Sequence, residues 1–149
     1  EVVEAEGPVR ADRLASLVAN AFDLSKVSES RREQILAHLP RELRTDRAEP
    51  VVWPAGIDPG TWTGYRPAGE SPSRRVEEIP LRELGNAMAA LVVAGAGMAR
   101  PELHRETLRV FGLLRRTPAA VERLDAALEL ARRTGRLDVG PDDIVLPAR

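Results

Sequence analysis

Residues 90–103, ALVVAGAGMARPEL, place Gly95-Ala96-Gly97 after an apolar run. In a dinucleotide fold such glycines let backbone N–H groups approach a pyrophosphate. That chemistry also needs a strand before the glycines, a third glycine where helix and strand pack, and an acid about 20 residues on for the ribose. Here the third glycine position is Arg100, and the place for the acid holds Arg115, Arg116 and Thr117. Upstream, Leu81, Leu84, Met88, Leu91 and Val92 recur at the three- and four-residue spacing of a helix. The dinucleotide reading fails on each requirement.

Other reactive groupings are equally incomplete. His38 and His104 lie far apart, and neither has metal-ligand spacing. His104-Arg105-Glu106 imitates the H-x-E of zinc deaminases, but the chain has no cysteine to complete the zinc set. Pro141-Asp142-Asp143 resembles part of a nuclease carboxylate pair without the acid and lysine that follow it, and Gly-Pro-Asp forms a turn in its own right. No glycine-rich loop ends in Gly-Lys-Ser or Gly-Lys-Thr. The expectation is of no catalytic residue, metal, cofactor or small-molecule ligand, hence not an enzyme.

Composition narrows the setting. The chain of 149 residues is 43% hydrophobic and 30% charged with a formal net charge of −1, so no overall field draws it to nucleic acid or anionic membrane. Lys26 is the only lysine, a bias that a GC-rich genome or selection for bidentate arginine contacts would each produce. The absence of cysteine excludes disulfides and suits a reducing cytoplasm. The longest uncharged stretch, Asn86 to Ala99, is well short of the roughly 20 residues of a membrane span. No secretory signal is visible. The opening at Glu1, in what reads as the middle of a helix, suggests a piece of a longer protein.

What positions the charged residues is a repeat. Sliding the chain along itself by 89 residues sets Val3 on Val92, Leu14 on Leu103, Phe22 on Phe111, Ile35 on Leu124 and Leu39 on Leu128. The matches are mostly apolar, as two copies of one small core would retain. In this alignment Gly95 and Gly97 end a helix, as Gly7-Pro8 does in the first copy. In that copy Leu14, Leu17, Val18, Ala21 and Phe22 form one helix stripe. Ser28 or Ser30 starts the next helix, with Glu33 able to complete a capping box with Ser30, and Val51-Val52-Trp53 reads as a strand. In the second copy Pro101 opens a helix, Thr117-Pro118 opens another, Gly135 stops it, and a hairpin folds around Gly140-Pro141-Asp142.

The predicted fold is mainly α: tandem winged helix-turn-helix-like lobes, each with a small β-hairpin wing. The first spans 1–54 with a truncated N-terminal helix, a Pro/Gly-rich connector spans 55–80, and the second lobe spans 81–149. The aromatics Trp53, Trp62 and Tyr65 either pin the connector onto the lobes or offer rings for stacking bases.

In a fold of this type the helix after the tight turn enters the major groove and the wing meets phosphate. That assigns Ser28, Ser30, Arg31, Arg32 and Gln34, with Arg44 and Arg47 near the wing, as nucleic-acid contacts of the first lobe. In the second lobe it assigns Arg115, Arg116, Thr117 and Arg123, with Arg136 at the base of the wing. Glu29, Glu33, Glu122, Asp125, Asp138, Asp142 and Asp143 oppose this, because such affinity comes mainly from phosphate neutralisation. A solvated helix face on a protein-interaction module is the other reading. Leu39-Pro40 would shorten the first recognition helix.

Three stretches, EVVEAEGPVRADRLASLVANAFDL, VVWPAGIDPGTWTGYRP and EEIPLRELGNAMAALV, carry a family likeness. They resemble the C-terminal domain of unknown function of large bacterial helicase-like proteins, which join a superfamily-one-type ATP-dependent helicase core to a Vsr-like endonuclease module. The resemblance runs over nearly the whole chain and brings no functional residues with it. It implies a bacterial, non-catalytic accessory domain that contacts or orients DNA during DNA processing or phage defence. Its partners would then be DNA and the helicase and nuclease modules of the parent chain. The alternative is a protein-protein interaction or dimerisation module docking on the helicase core.

Overall fold

The computed structural model spans residues 1–149 and describes all of them except Ser25, Arg41, Glu42, Asp46, Arg47, Ala48, Ser71 and Pro72. Of Arg44 and Thr45 it describes the backbone. The chain is mainly helical with small antiparallel sheets, and it divides into two compact units, Glu1–Trp62 and Thr63–Arg149.

The first unit runs α1 (Val2–Glu6), β1 (Val9–Arg10), α2 (Ala11–Ala21), α3 (Glu29–Ala37), β2 (Arg44–Thr45) and β3 (Val51–Trp53). The last strand lies between the other two, pairing Val9 with Val52 and Arg44 with Trp53. Val3, Val9, Leu14 and Val52 form its core. Trp53 is fully buried and meets Trp62 edge-on, with ring centroids 5.3 Å apart. That packing holds residues 54–62 to this unit and leaves Trp53 no face for a base.

The second unit repeats the order with longer elements: α4 (Leu81–Gly95), β4 (Met98–Ala99), α5 (Arg100–Val110), α6 (Pro118–Arg133), β5 (Leu137–Val139) and β6 (Ile144–Pro147). Again the last strand is central, pairing Met98 with Val145 and Val139 with Val145 from its two sides. The glycine pair that opened the sequence ends α4. Ala96 takes a left-handed conformation, φ 53°, its N–H donates to the Val93 carbonyl, and that of Gly97 donates to Val92. A Cβ at Gly97 would come within 3.0 Å of Leu146, so the turn is built against the hairpin.

The helix starts follow from hydroxyl caps. Thr117 Oγ1 accepts the Ala120 N–H at 3.1 Å, and Pro118 fills the first helical position. In the first unit the cap is Ser28, whose Oγ accepts the Arg31 N–H. Ser30 lies inside the helix, so the expected box of Ser30 with Glu33 does not form: Ser28 is the residue held extended, and it reaches the free N–H first.

α6 packs along α4, where Leu84, Ala87, Met88 and Val92 meet Leu124, Ala127, Leu128 and Ala131 in one buried cluster. The helices approach so closely at Gly85 that a Cβ there would lie 3.3 Å from the Ala127 carbonyl. The described residues between Thr63 and Pro80 group with this pair in the second unit. Glu83 on α4 is fully buried, and its two oxygens take the guanidinium of Arg74 at 2.8 Å each, with Arg74 also nearly buried. Arg66 adds its guanidinium at 2.7 Å and its backbone N–H at 3.0 Å. Asn86 donates to the Gly64 carbonyl, and Arg74 lies over the Phe111 ring.

Burial alone would push the Glu83 carboxyl up, but hydrogen bonds from Arg74 and Arg66 outweigh it and hold the group below its ordinary value of 4.5. A carboxyl depressed in the folded state stabilises above that ordinary value, and the stabilisation is lost as pH falls through the folded one. Glu83→Gln removes the buried carboxylate charge shared by Arg74 and Arg66, so the second unit is expected to lose about 3–5 kcal/mol in chemical denaturation at neutral pH. The variant is also expected to lose part of the acid sensitivity of the parent, seen as a flatter stability profile below pH 4.5.

Candidate interaction surfaces

The turn before the third helix of each unit carries an exposed cation two residues ahead of the cap: Lys26 before Ser28 and Arg115 before Thr117. Both hydroxyls serve their own helix as caps. Arg115 and Arg31 are exposed, and neither guanidinium has a partner among the described residues. Ser30 and Gln34 are exposed on α3, with the Gln34 carbonyl facing Nδ1 of His38. Arg116 reaches back to within 3.4 Å of His104 Nδ1.

Three of the predicted contacts are turned to other work. Arg123 donates from Nη2 to the Ile79 carbonyl at 2.6 Å and from Nε to that of Val76, clamping the 3-10 turn Val76–Glu78 ahead of α4. Arg136 donates to Asn86 Oδ1 at 2.6 Å, and burial followed by the nearby Arg82 lowers its pKa. Arg32 pairs with Glu29 and, at 2.9 Å, with Asp12 of α2. Helix periodicity assigns positions to a face, but the long arginine stem lets the head group swing to whichever acceptors the fold supplies. Arg47 and the side chain of Arg44 fall outside the described residues.

Beyond its first turn α6 exposes Glu122, Ala126, Glu129, Arg132 and Arg133, with Asp125 half-buried beside them. Glu129 is held below its ordinary value by a hydrogen bond from Arg132, and its charge is shared with Arg133. Asp138 and Asp142 extend the acidic surface over the hairpin, where Asp143 is neutralised by Arg100 at 2.7 Å. The exposed side of α3 likewise shows Glu29 and Glu33. Exposed apolar side chains stand at Phe22, Val93 and Leu114, the last 90% accessible.

Two features escaped the sequence. His104 is 1% exposed, with Nε2 3.0 Å from Asp125 Oδ1. Burial lowers its pKa, with Asp125 opposing and Arg116 and Arg100 adding to the fall. Only the tertiary fold, in which α4 packs on both α5 and α6, brings these groups together, and no local pattern marks it. The other is a groove of about 470 Å3 in the first unit, lined by Val18, Arg31, Gln34, Ile35, His38 and Leu39. Among the described residues no cluster of three or more His, Asp or Glu is arranged to hold a metal ion, and no helix is long and apolar enough to cross a membrane.

Arg123→Met keeps the stem and removes the two carbonyl contacts, so the second unit is expected to lose about 1.5–3 kcal/mol, the range for hydrogen bonds to a charged group. Chemical denaturation measures this, and an unchanged midpoint would show that these two contacts do not hold the turn. Comparison of the chain with protein-family models, with curated proteins and with solved structures gives no match.

Proposed function

We propose that the chain is a pair of winged helix-turn-helix units acting as a non-catalytic protein-contact module, docking through its acidic third helices on a basic surface of a larger DNA-processing assembly. The fold reading is supported by the shared order of helix, strand, helix, helix, strand, strand with the last strand central in each unit. The observation that carries the function is charge. The helix that would enter a DNA groove shows Glu122 and, paired with Arg132, Glu129 in one unit, and Glu33 and, paired with Arg32, Glu29 in the other, while Arg123 and Arg136 are engaged inside. Acids at those positions repel phosphate and suit a cationic partner. The helicase and nuclease modules implied by the family resemblance are the partners to test.

Direct DNA contact is the second reading, favoured by Lys26, Arg115 and Arg116 at the turns before the third helices. Three such cations would release counterions with a log–log salt slope of about −2 to −3. Fluorescence anisotropy with labelled duplex, forked and single-stranded DNA separates the two. The expected result is no saturable binding in low salt, together with salt-sensitive binding to a purified helicase core that weakens in the E122K/E129K double variant. Saturable DNA binding with that slope, reduced in the R115A/R116A double variant, would overturn the first reading in favour of the second.

A further inference from the structure

The second unit carries a polar set that its order of elements does not require. His104 of α5 has Nε2 3.0 Å from Asp125 of α6 and Nδ1 3.4 Å from the Arg116 guanidinium of the intervening turn. Shifted by 89 residues, His104, Arg116 and Asp125 fall on Ala15, Val27 and Leu36. The first unit thus builds the same order of helices and strands with apolar residues at all three positions. Burying an imidazole to 1% exposure costs hydration that an apolar side chain would not lose, so packing alone does not account for His104.

The contacts fix the protonation state of the ring. A guanidinium has donors only, so Nδ1 faces Arg116 as an acceptor and the proton of the neutral ring sits on Nε2. That N–H is close to Asp125 Oδ1 but lacks the alignment of a hydrogen bond. A proton added at Nδ1 reverses the balance. The lone pair that Arg116 uses is gone and two cations face each other, while the attraction between ring and Asp125, which as an ionic contact tolerates the angle, grows. Arg100 is the third charge acting on the ring. It lies 3.3 Å from Asp125 but is held by Asp143 at 2.7 Å, so the hairpin stays tied to α5 when Asp125 turns to the ring. Of the other elements packed on α5, β4 and β6 carry no charged residue, and α4 carries Arg82 and Glu83, the latter held by Arg66 and Arg74.

We propose that His104 is a proton-operated latch on the turn between α5 and α6: the neutral ring holds the Arg116 head group, and the protonated ring gives it up in exchange for Asp125. Release sets a second cation beside exposed Arg115 at the start of the third helix, so acidification turns this end of the unit toward anionic partners. Burial, opposed by Asp125 and assisted by Arg116 and Arg100, holds the ring below its ordinary value of 6.5. The latch is therefore closed at neutral pH. Its contribution to stability is complete above 6.5 and is lost as pH falls through the folded value.

The test follows the His104 ring nitrogens by NMR in the isotopically labelled full chain as pH is lowered from neutral, together with the relaxation of the Arg116 Nε–H group. His38 is distinguished by His38→Gln. The ring is expected to start as the neutral Nε2–H tautomer with the Arg116 head ordered, and Arg116 to become mobile with the same midpoint as the ring. Arg116→Ala, at an exposed position, removes a like charge and is expected to move the His104 midpoint up while leaving that of His38 in place. His104→Asn keeps a carbonyl acceptor near the Nδ1 position without the titration, so Arg116 is expected to stay ordered over the whole range. Arg116 mobility that does not follow the ring, an unchanged midpoint in Arg116→Ala, or a ring that stays neutral until the unit unfolds would each overturn the proposal. None of these readouts depends on whether the third helices contact protein or DNA.

Discussion

The second unit is organised around one buried carboxylate. Glu83 touches both Arg66 and Arg74, so the segment preceding α4 is bound where its side chain sits. Buried ions lose hydration, and that cost is offset here because both carboxylate oxygens and much of both guanidinium forks are satisfied. Arg74 also donates to the Arg66 carbonyl and stacks on Phe111, which carries the network into α5. Remove the carboxylate and Arg66 and Arg74 lose the acceptor they share. The packing of Val76 and Ile79 on the helices depends on the same anchoring.

A second constraint is shared by both units. Each sets an arginine at the junction of its first strand and second helix against an acid just ahead of its central strand. Arg10 meets Glu49 at 2.6 Å in one, and Arg100 meets Asp143 at 2.7 Å in the other. The ion pair closes the hairpin onto the helices and leaves less free charge at the hairpin for a ligand. Both units therefore use arginine first as a structural fork, for which its planar, bidentate geometry is suited. The arginine-rich composition is accounted for in part by internal pairs.

The units differ in how their third helices are held. In the second, α4 runs along α6 closely enough to need Gly85, and the core extends from the 3-10 turn to the hairpin. In the first, a short α1 touches only the end of the bundle, and α3 is tied at its N-terminal end by Arg32 to Asp12. Leu39-Pro40 lies just past α3, as the proline rule for helix ends anticipates. The same sequence repeat thus yields a third helix that buries six residues in one unit and one that buries none in the other.

Much of this was legible before any coordinates. The apolar period of α2, α4, α5 and α6, the cap at Thr117, the stop at Gly135 and the hairpin around Gly140 are local features, set within a few residues by propensity and turn chemistry. The repeat needed only apolar matches at one spacing, because a core constrains volume and period. The tertiary structure alone decided where the arginine heads go and that the segment ahead of α4 from Thr63 on belongs to the second unit. Those outcomes depend on acceptors brought from 17 to 50 residues away, as with Glu83 for Arg66 and Asn86 for Arg136. A long flexible cation carries no periodic signature of its destination, so its partner is fixed only when the helices have packed.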